Sequence, residues 1–293
     1  LVHGKSFIPL ITGFGCSVPA FMATRTLKNK RDRLLTLFVI NFMSCGARLP
    51  VYVLFIGAFF PSEEAGNYLF GIYLLGAILG LIAAKFLRST AFRGIDEPFV
   101  MEMPKYRMPN WHLVWFMVFN KAKMYLKKAG TFILVASLLI WFASNFPNNE
   151  SNLDDFSAQE RAVEQSYLGQ FGKTIEPIFS PLELDWKLSV SLVSGLAAKE
   201  VMISTMGVLY SLGKEVDETS SDLKGIIAKN IPLPSAVAYI LFVMIYNPCF
   251  AATIVFSKES GKIKYTFFLF LFTCISAYIV AFIGLNITKF VIN

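Results

Sequence analysis

Gly13-Phe14-Gly15-Cys16-Ser17-Val18-Pro19-Ala20-Phe21-Met22-Ala23-Thr24 is apolar enough to enter a bilayer, yet it cannot be one uninterrupted helix. Gly13, Gly15 and Pro19 fall close together, and each weakens a helix interior. At membrane depth the N–H and C=O groups freed by such a break need protein or a water-lined cavity, because lipid offers them no partner. A cysteine sits at the break. The pattern Pro-x-Phe-x-Ala-Thr returns as Pro248-Cys249-Phe250-Ala251-Ala252-Thr253, again with a cysteine beside the proline. A charged loop follows each copy: Arg25, Lys28, Lys30, Arg31 and Arg33 after the first, and Lys258, Glu259, Lys262 and Lys264 after the second. Two interrupted apolar segments in corresponding places point to the substrate site of a transporter.

Composition agrees. Of 293 residues, 55% are hydrophobic and only 16% charged, with 29 Phe. A soluble domain is nearer half apolar and a quarter charged, so the excess belongs to lipid-facing surface. The net charge of +7 does not indicate nucleic acid, because the bases cluster in short loops beside apolar segments, as the positive-inside rule requires. Cys16, Cys45, Cys249 and Cys274 all lie in apolar segments without C-x-x-C spacing, which excludes a disulfide framework and a zinc ribbon. The chain opens on Leu1 with no signal peptide and reads as a fragment of a longer protein. His3-Gly4-Lys5-Ser6 imitates the end of a phosphate-binding loop, but Phe7-Ile8-Pro9-Leu10 does not read as the long helix that should follow.

About seven apolar segments are expected, making an all-α polytopic membrane protein in one domain over 1–293. The first, 6–24, is broken and re-entrant. The second, 34–60, holds Ser44-Cys45-Gly46-Ala47-Arg48-Leu49-Pro50 in its middle, so Arg48 should face the bundle interior and hold a partner. Residues 68–87 form a plain returning span with Gly76 and Gly80 as a close-packing pair. The basic segment 88–128 is cytoplasmic, with an amphipathic interfacial helix over 111–126, and 130–146 spans outward. An acidic insertion at 147–187 is extracytoplasmic, with Ser157-x-x-Glu160 as a capping box. Residues 188–210 carry Ser189, Ser191, Ser194, Lys199 and Glu200. These two charges are adjacent on a helix and need separate partners. Segments 236–257 and 265–292 complete the set. Charge bias conflicts with itself at 258–264, which requires a re-entrant hairpin within 188–257 or a failure of the bias in an inverted repeat.

The membrane interior is expected to gather Cys16, Cys45, Cys249, Arg48, Lys199, Glu200 and Asn247. His3 and His112 lie in loops, so no nucleophile has a base and an intramembrane protease is a poor fit. Thiols and a carboxylate at broken helices suit a borderline transition metal such as Fe(II), Zn(II) or Cu(I) over Mg(II) or Ca(II). Spacing of three places Cys45 and Arg48 on one helix face.

Five motifs carry a family resemblance: Gly13 to Pro19, Met43-Ser44-Cys45-Gly46-Ala47-Arg48-Leu49-Pro50, Pro98-Phe99-Val100-Met101-Glu102-Met103-Pro104, Ala197-Ala198-Lys199-Glu200-Val201, and Pro248 to Thr253. In this order they resemble the membrane domain of the ferrous iron transport protein B (FeoB) family. The resemblance implies a multi-pass importer of Fe(II) in the bacterial cytoplasmic membrane. Its first Gate would occupy 4–60 and its second Gate 188–264. Fe(II) would be the transported ion, with Cys16, Cys45, Cys249 and Glu200 as ligands and Gly15, Pro19, Arg48, Lys199, Asn247 and Pro248 in support. The implied partners are the lipid bilayer, further copies of the chain, and an N-terminal GTPase domain that these residues do not include, so no GTP site is expected here. A nucleoside-like solute carrier and a membrane scaffold for a GTPase are the competing readings.

Overall fold

A computed structural model describes residues 4–61, 63–92, 108–146, 165–211 and 221–292. The motif at 98–104, the capping pattern at 157–160 and most of the acidic insertion lie outside the described residues. Every regular element among the described residues is helical. In chain order they are α1 Phe7–Gly15, α2 Ser17–Ala23, α3 Lys30–Val39, α4 Leu49–Phe59, α5 Ala65–Thr90, α6 Trp111–Asn145, α7 Tyr167–Phe179, α8 Trp186–Ala197, α9 Val201–Ser211, α10 Ser221–Asn230, α11 Leu233–Ile245, α12 Phe250–Ser260 and α13 Ile263–Ile292.

Among the described residues, four stretches are long and apolar enough to cross a membrane: Lys30–Phe59, Ala65–Thr90, Leu233–Ser260 and Ile263–Ile292. They account for four of the seven expected segments. Two others, 6–24 and 188–210, are helical hairpins whose arms of seven to twelve residues reach only about 10–18 Å at 1.5 Å per residue. The remaining one, 130–146, is the second half of α6, which runs unbroken for 35 residues. The helix expected to end near 126 therefore continues into the segment after it.

Polar contacts define the direction of each hairpin. Ser6 Oγ lies 2.7 Å from Thr36 Oγ1, and Gly13 abuts Ile40 and Met43, so α1 runs beside α3 in the same sense. α2 then returns, and Arg25 just beyond it meets Glu259 at the end of α12. Both ends of the first hairpin thus lie on the face that carries the basic loop. Ser6 is engaged with Thr36, and residues 4–6 form a turn leading into α1.

The second hairpin, α8–α9, enters from the other face. Asp185 caps α8 by accepting from Leu188 N at 2.8 Å, and it also accepts from Tyr210 Oη at 2.7 Å, so start and finish of the hairpin touch. Glu183, just before it, meets Lys289 near the far end of α13. α13 begins three residues after Ser260 and runs 30 residues, about 45 Å, so Lys289 lies across the membrane from Glu259. Of the two alternatives left by charge bias, the re-entrant hairpin within 188–257 is the one present, and it returns loop 258–264 to the face of loop 25–33.

Packing separates inner from outer helices. The apolar windows of the broken spans α3–α4 and α11–α12 are 67% and 56% buried, against 22% and 28% for α5 and α13. The two broken spans therefore form the centre, while α5 and α13 turn apolar residues such as Phe70, Leu81, Phe267 and Phe282 outward, as lipid-facing helices do. Phe21, Phe38, Phe256 and Phe272 pack edge to face where α2, α3, α12 and α13 converge. The expected close approach at Gly76 and Gly80 brings α5 onto the central break: a Cβ at Gly76 would lie 3.1 Å from Phe42 O, and one at Gly80 2.8 Å from Met43 Cε.

Candidate functional site

Four helix breaks define the centre. The first is the single extended residue Cys16 (φ −152°, ψ 131°) at the tip of the first hairpin. The second runs from Met43 to Arg48 between α3 and α4, with Met43 and Cys45 extended. The third is Ala198 (φ −150°, ψ 135°) at the tip of the second hairpin. The fourth spans Tyr246 to Cys249 between α11 and α12. Prolines restart the chain after the breaks. Pro19 is the third residue of α2, Pro50 the second of α4, and Pro248 lies two before α12. In a first turn, a missing N–H costs no intrahelical bond.

Arg48 joins the second break to the fourth. It is 2% exposed. Its Nη1 donates to Asn41 O at 3.3 Å and to Met244 O, and its Nη2 donates to Tyr246 O at 3.1 Å. Asn41 Nδ2 adds a bond to Ile245 O at 3.2 Å. The partner expected for Arg48 is thus a set of backbone carbonyls released by the breaks themselves, and a guanidinium supplies the several donors that such a set needs. Cys45 and Arg48 do not share a helix face as their spacing suggested. Cys45 is extended, and Arg48 closes the short turn that follows it.

The third break meets the fourth through Tyr246. Its Oη donates to Leu192 O at 3.3 Å and lies 3.4 Å from Met202 Sδ, so the ring inserts between the arms of the second hairpin. Gly195 makes the room: a Cβ there would lie 2.4 Å from Tyr246 Oη and 2.5 Å from Met202. Lys199, at the hairpin tip, is 2% exposed and places Nζ 3.2 Å from the centroid of the Tyr246 ring. That nitrogen has no hydrogen-bond acceptor among the described residues. Lys199 lies within electrostatic reach of Arg48, Cys45, Cys249 and Cys274, and Cys249 within reach of Cys45 and Glu200. Glu200 is exposed.

The remaining expected residues fall around this point. A Cβ on Gly46 would lie 3.4 Å from Gly15 O, which sets the Cys16 tip against the second break. Asn247 accepts from Thr273 Oγ1 at 3.0 Å and directs its Nδ2 to Cys274 Sγ at 3.5 Å, tying the fourth break to α13. None of the four cysteines is in a disulfide among the described residues, and all are partly buried. Among the described residues no three His, Cys, Asp or Glu side chains gather into a metal-holding group, so the thiols do not form a closed cage. Cys274 and Tyr246 belong to the centre although sequence reasoning passed over both. The Thr273-Cys274 pair, the polar interruption of an apolar span, was the available clue for the former.

An ion cluster closes the face of the basic loop. Arg25 Nε donates to both carboxylate oxygens of Glu259 at 2.9 and 3.0 Å, and Arg33 Nη2 donates to the second of them. The Glu259 side chain is 4% exposed while Arg25 is 63% exposed. The carboxylate pushes the Arg25 guanidinium above its ordinary pKa, first by its hydrogen bond and then by its charge. Arg31 Nε donates to Phe92 O, bringing the end of α5 to the same face.

The comparisons with known proteins cover this whole arrangement. The model of a family described as Gate, nucleoside recognition, matches residues 1–59 and 126–263. One described as ferrous iron transport protein B C terminus matches residues 69–121. The chain is 90% identical over 292 residues to an Fe(2+) transporter FeoB of Campylobacter jejuni, covering 100% of this chain and 48% of that protein. It is 50% identical over 318 residues to an Fe(2+) transporter FeoB of Helicobacter pylori, covering 99% of this chain and 49% of that protein. A fusion of Fe(2+) transport protein A with Fe(2+) transporter FeoB from Porphyromonas gingivalis is 42% identical over 317 residues, covering 96% of this chain and 37% of the fusion. The chain spans about half the length of the first two of these curated relatives. No solved structure matches.

Proposed function

This chain belongs to the FeoB family as its C-terminal membrane part, and from that membership we propose that it carries Fe(II) across the bacterial cytoplasmic membrane. The path runs between the tips of the two hairpins, past Cys45, Cys249 and Cys274, which stand around Lys199 without gathering into a metal-holding group. One observation supports the reading: helix breaks on four separate segments meet one another, through Gly15 against Gly46, Arg48 against Tyr246 O and Tyr246 against the second hairpin, and they bring thiols and loosened backbone together. Irregular backbone inside a membrane protein belongs where a cavity or site needs it. Sulfur ligands suit a borderline ion, and a dispersed set binds weakly enough to release what it takes.

In this reading Cys45 and Cys249 are the central ligands. Cys16 serves the mouth beside Gly46, and Glu200 offers oxygen on the side of the second hairpin. Gly15, Pro19 and Pro248 shape the breaks, while Arg48 and Asn247 hold them. Residues 4–60 and 188–264 act as the two Gates. A GTPase unit in the remaining half of the full-length protein would be the energetic or regulatory partner. The centre is rich in sulfur, and its amides Asn41 and Asn247 are already engaged through Nδ2, with Ile245 O and with Cys274 Sγ, which weighs against a nucleoside as cargo.

Anaerobic Fe(II) uptake by cells producing the full-length protein tests the reading. Cys45→Ser with Cys249→Ser is expected to lower uptake on the order of tenfold or more, because hydroxyls are poorer ligands than thiolates for this ion. Uptake that survives both substitutions at normal protein abundance removes the thiols from the path.

A further inference from the structure

Resting on the reading of the centre as a cation path, we propose that Lys199 is a tethered cation. Its ammonium occupies the face of Tyr246 that a metal ion has to pass, and the tip of the second hairpin carries it there. An ammonium has three donors, and burying it without an acceptor is costly. Lys199 is nevertheless 2% exposed with Nζ unpartnered. A tip that needed only to pack would be served by an apolar residue. What Nζ does have is the Tyr246 ring at 3.2 Å, the arrangement in which a π face receives a cation.

The position holds the ammonium against burial and against the like charge of nearby Arg48, so it is the hairpin that imposes it. The ring is oriented by the same hairpin that delivers the lysine, through Leu192 O and Met202 Sδ, with Gly195 leaving the space. Cys45, Cys249 and Cys274 stand within electrostatic reach. Arg48 cannot take this part, because its Nη atoms hold the carbonyls of Asn41, Met244 and Tyr246 in place. Lys199 has no such bonds to break. It follows the extended residue Ala198 and precedes the first turn of α9, so a shift of the tip moves it as a unit.

A divalent ion and an ammonium confined at low dielectric repel one another strongly. In the conformation described here Lys199 therefore keeps metal out, and entry requires the tip to withdraw. Two roles for a buried lysine near thiols make opposite predictions. A lysine that sustains thiolate charge favours metal binding, and its loss weakens binding. A tethered cation competes with metal, and its loss strengthens binding.

Anaerobic titration of Co(II) into the detergent-purified chain, read by thiolate-to-cobalt absorption and equilibrium dialysis, decides between them. Lys199→Met should bind Co(II) on the order of tenfold more tightly than the unmodified chain, and Lys199→Arg should bind as weakly as the unmodified chain. Lys199→Gln, which keeps a polar head group, provides a second neutral variant should the methionine variant fail to fold. Equal or weaker binding by the neutral variants overturns the tethered cation while leaving a thiol-lined path intact. Co(II) binding that is indifferent to Cys45→Ser and Cys249→Ser in the Lys199→Met background overturns the path itself. Absence of binding in every variant overturns both.

Discussion

The two hairpins turn on nearly the same backbone angles, −152° and 131° at Cys16, −150° and 135° at Ala198, yet they are fastened in opposite ways. The first is held at its foot by charge, where Glu259 gathers Arg25 and Arg33. The second is held along its length by neutral tyrosines: Tyr210 to Asp185 at the foot, Tyr239 to Ser191 at 2.7 Å halfway, and Tyr246 to Leu192 near the tip. The turns themselves differ: Cys16 alone separates the helices of the first hairpin, whereas in the second Ala198 is extended and Lys199 and Glu200 complete the turn before α9. What the anchors add is a difference in sensitivity. An ionic foot responds to salt and to charge substitutions, whereas the bonds of Tyr239 to a serine hydroxyl and of Tyr246 to a backbone carbonyl do not.

The largest effect should come from the residue on which both halves depend. Arg48→Met strands the carbonyls of Asn41, Met244 and Tyr246 together, and stability in detergent should fall by roughly 3–5 kcal/mol, since removing a buried charged donor leaves its partners unpaired. Denaturant unfolding measures it. A loss under about 1 kcal/mol would mean the two broken spans hold together without this link. Next, Gly195→Ala forces a Cβ toward Tyr246 Oη and Met202 and should cost about 1–3 kcal/mol as overpacking. It should also raise labelling of Cys249 by a water-soluble maleimide while leaving Cys16 unaffected. Equal rises at both cysteines would dissolve the distinction between the hairpins. The smallest effect belongs to Glu259→Gln. Two arginines then face each other without their anion, but Arg25 is largely exposed, so the discounted cost is about 1–2 kcal/mol. Here the labelling should rise at Cys16 and stay level at Cys249, and raised salt should mimic the substitution weakly.

Much of this was legible from residue types with strong backbone consequences. Gly15, Pro19, Pro50 and Pro248 announced the breaks, and an arginine in the middle of an apolar run announced an inward-facing Arg48. Charge bias left a choice between a re-entrant element within 188–257 and a failure of the bias in an inverted repeat, and the α8–α9 hairpin is the former. Pairing was not legible. The Pro-x-Phe-x-Ala-Thr echo links α2, a hairpin arm, with α12, half of a spanning helix. The elements that correspond by topology are instead the two hairpins, whose tips share no such motif. The echo does mark neighbours, since Phe21 packs on Phe256 at 5.6 Å between ring centroids. Glu259 looked like an ordinary loop acid because its partner Arg25 lies 234 residues away. Cys274 carried no signal of its own because its contact is with Asn247, in the break between α11 and α12. The continuity of α6 through Gly130 was hidden by a change in composition that the backbone ignores.

The shortness of the hairpin arms has a consequence for biosynthesis. A nascent segment needs about 20 apolar residues to be released into the bilayer as a span, and no arm of either hairpin approaches that length. The long stretches 30–59, 65–90, 233–260 and 263–292 are the ones able to insert on their own account. The hairpins can only slot in afterwards, between walls that those spans have already built. The two hairpins are thus expected to be the last elements assembled, and the first lost when the surrounding helices loosen.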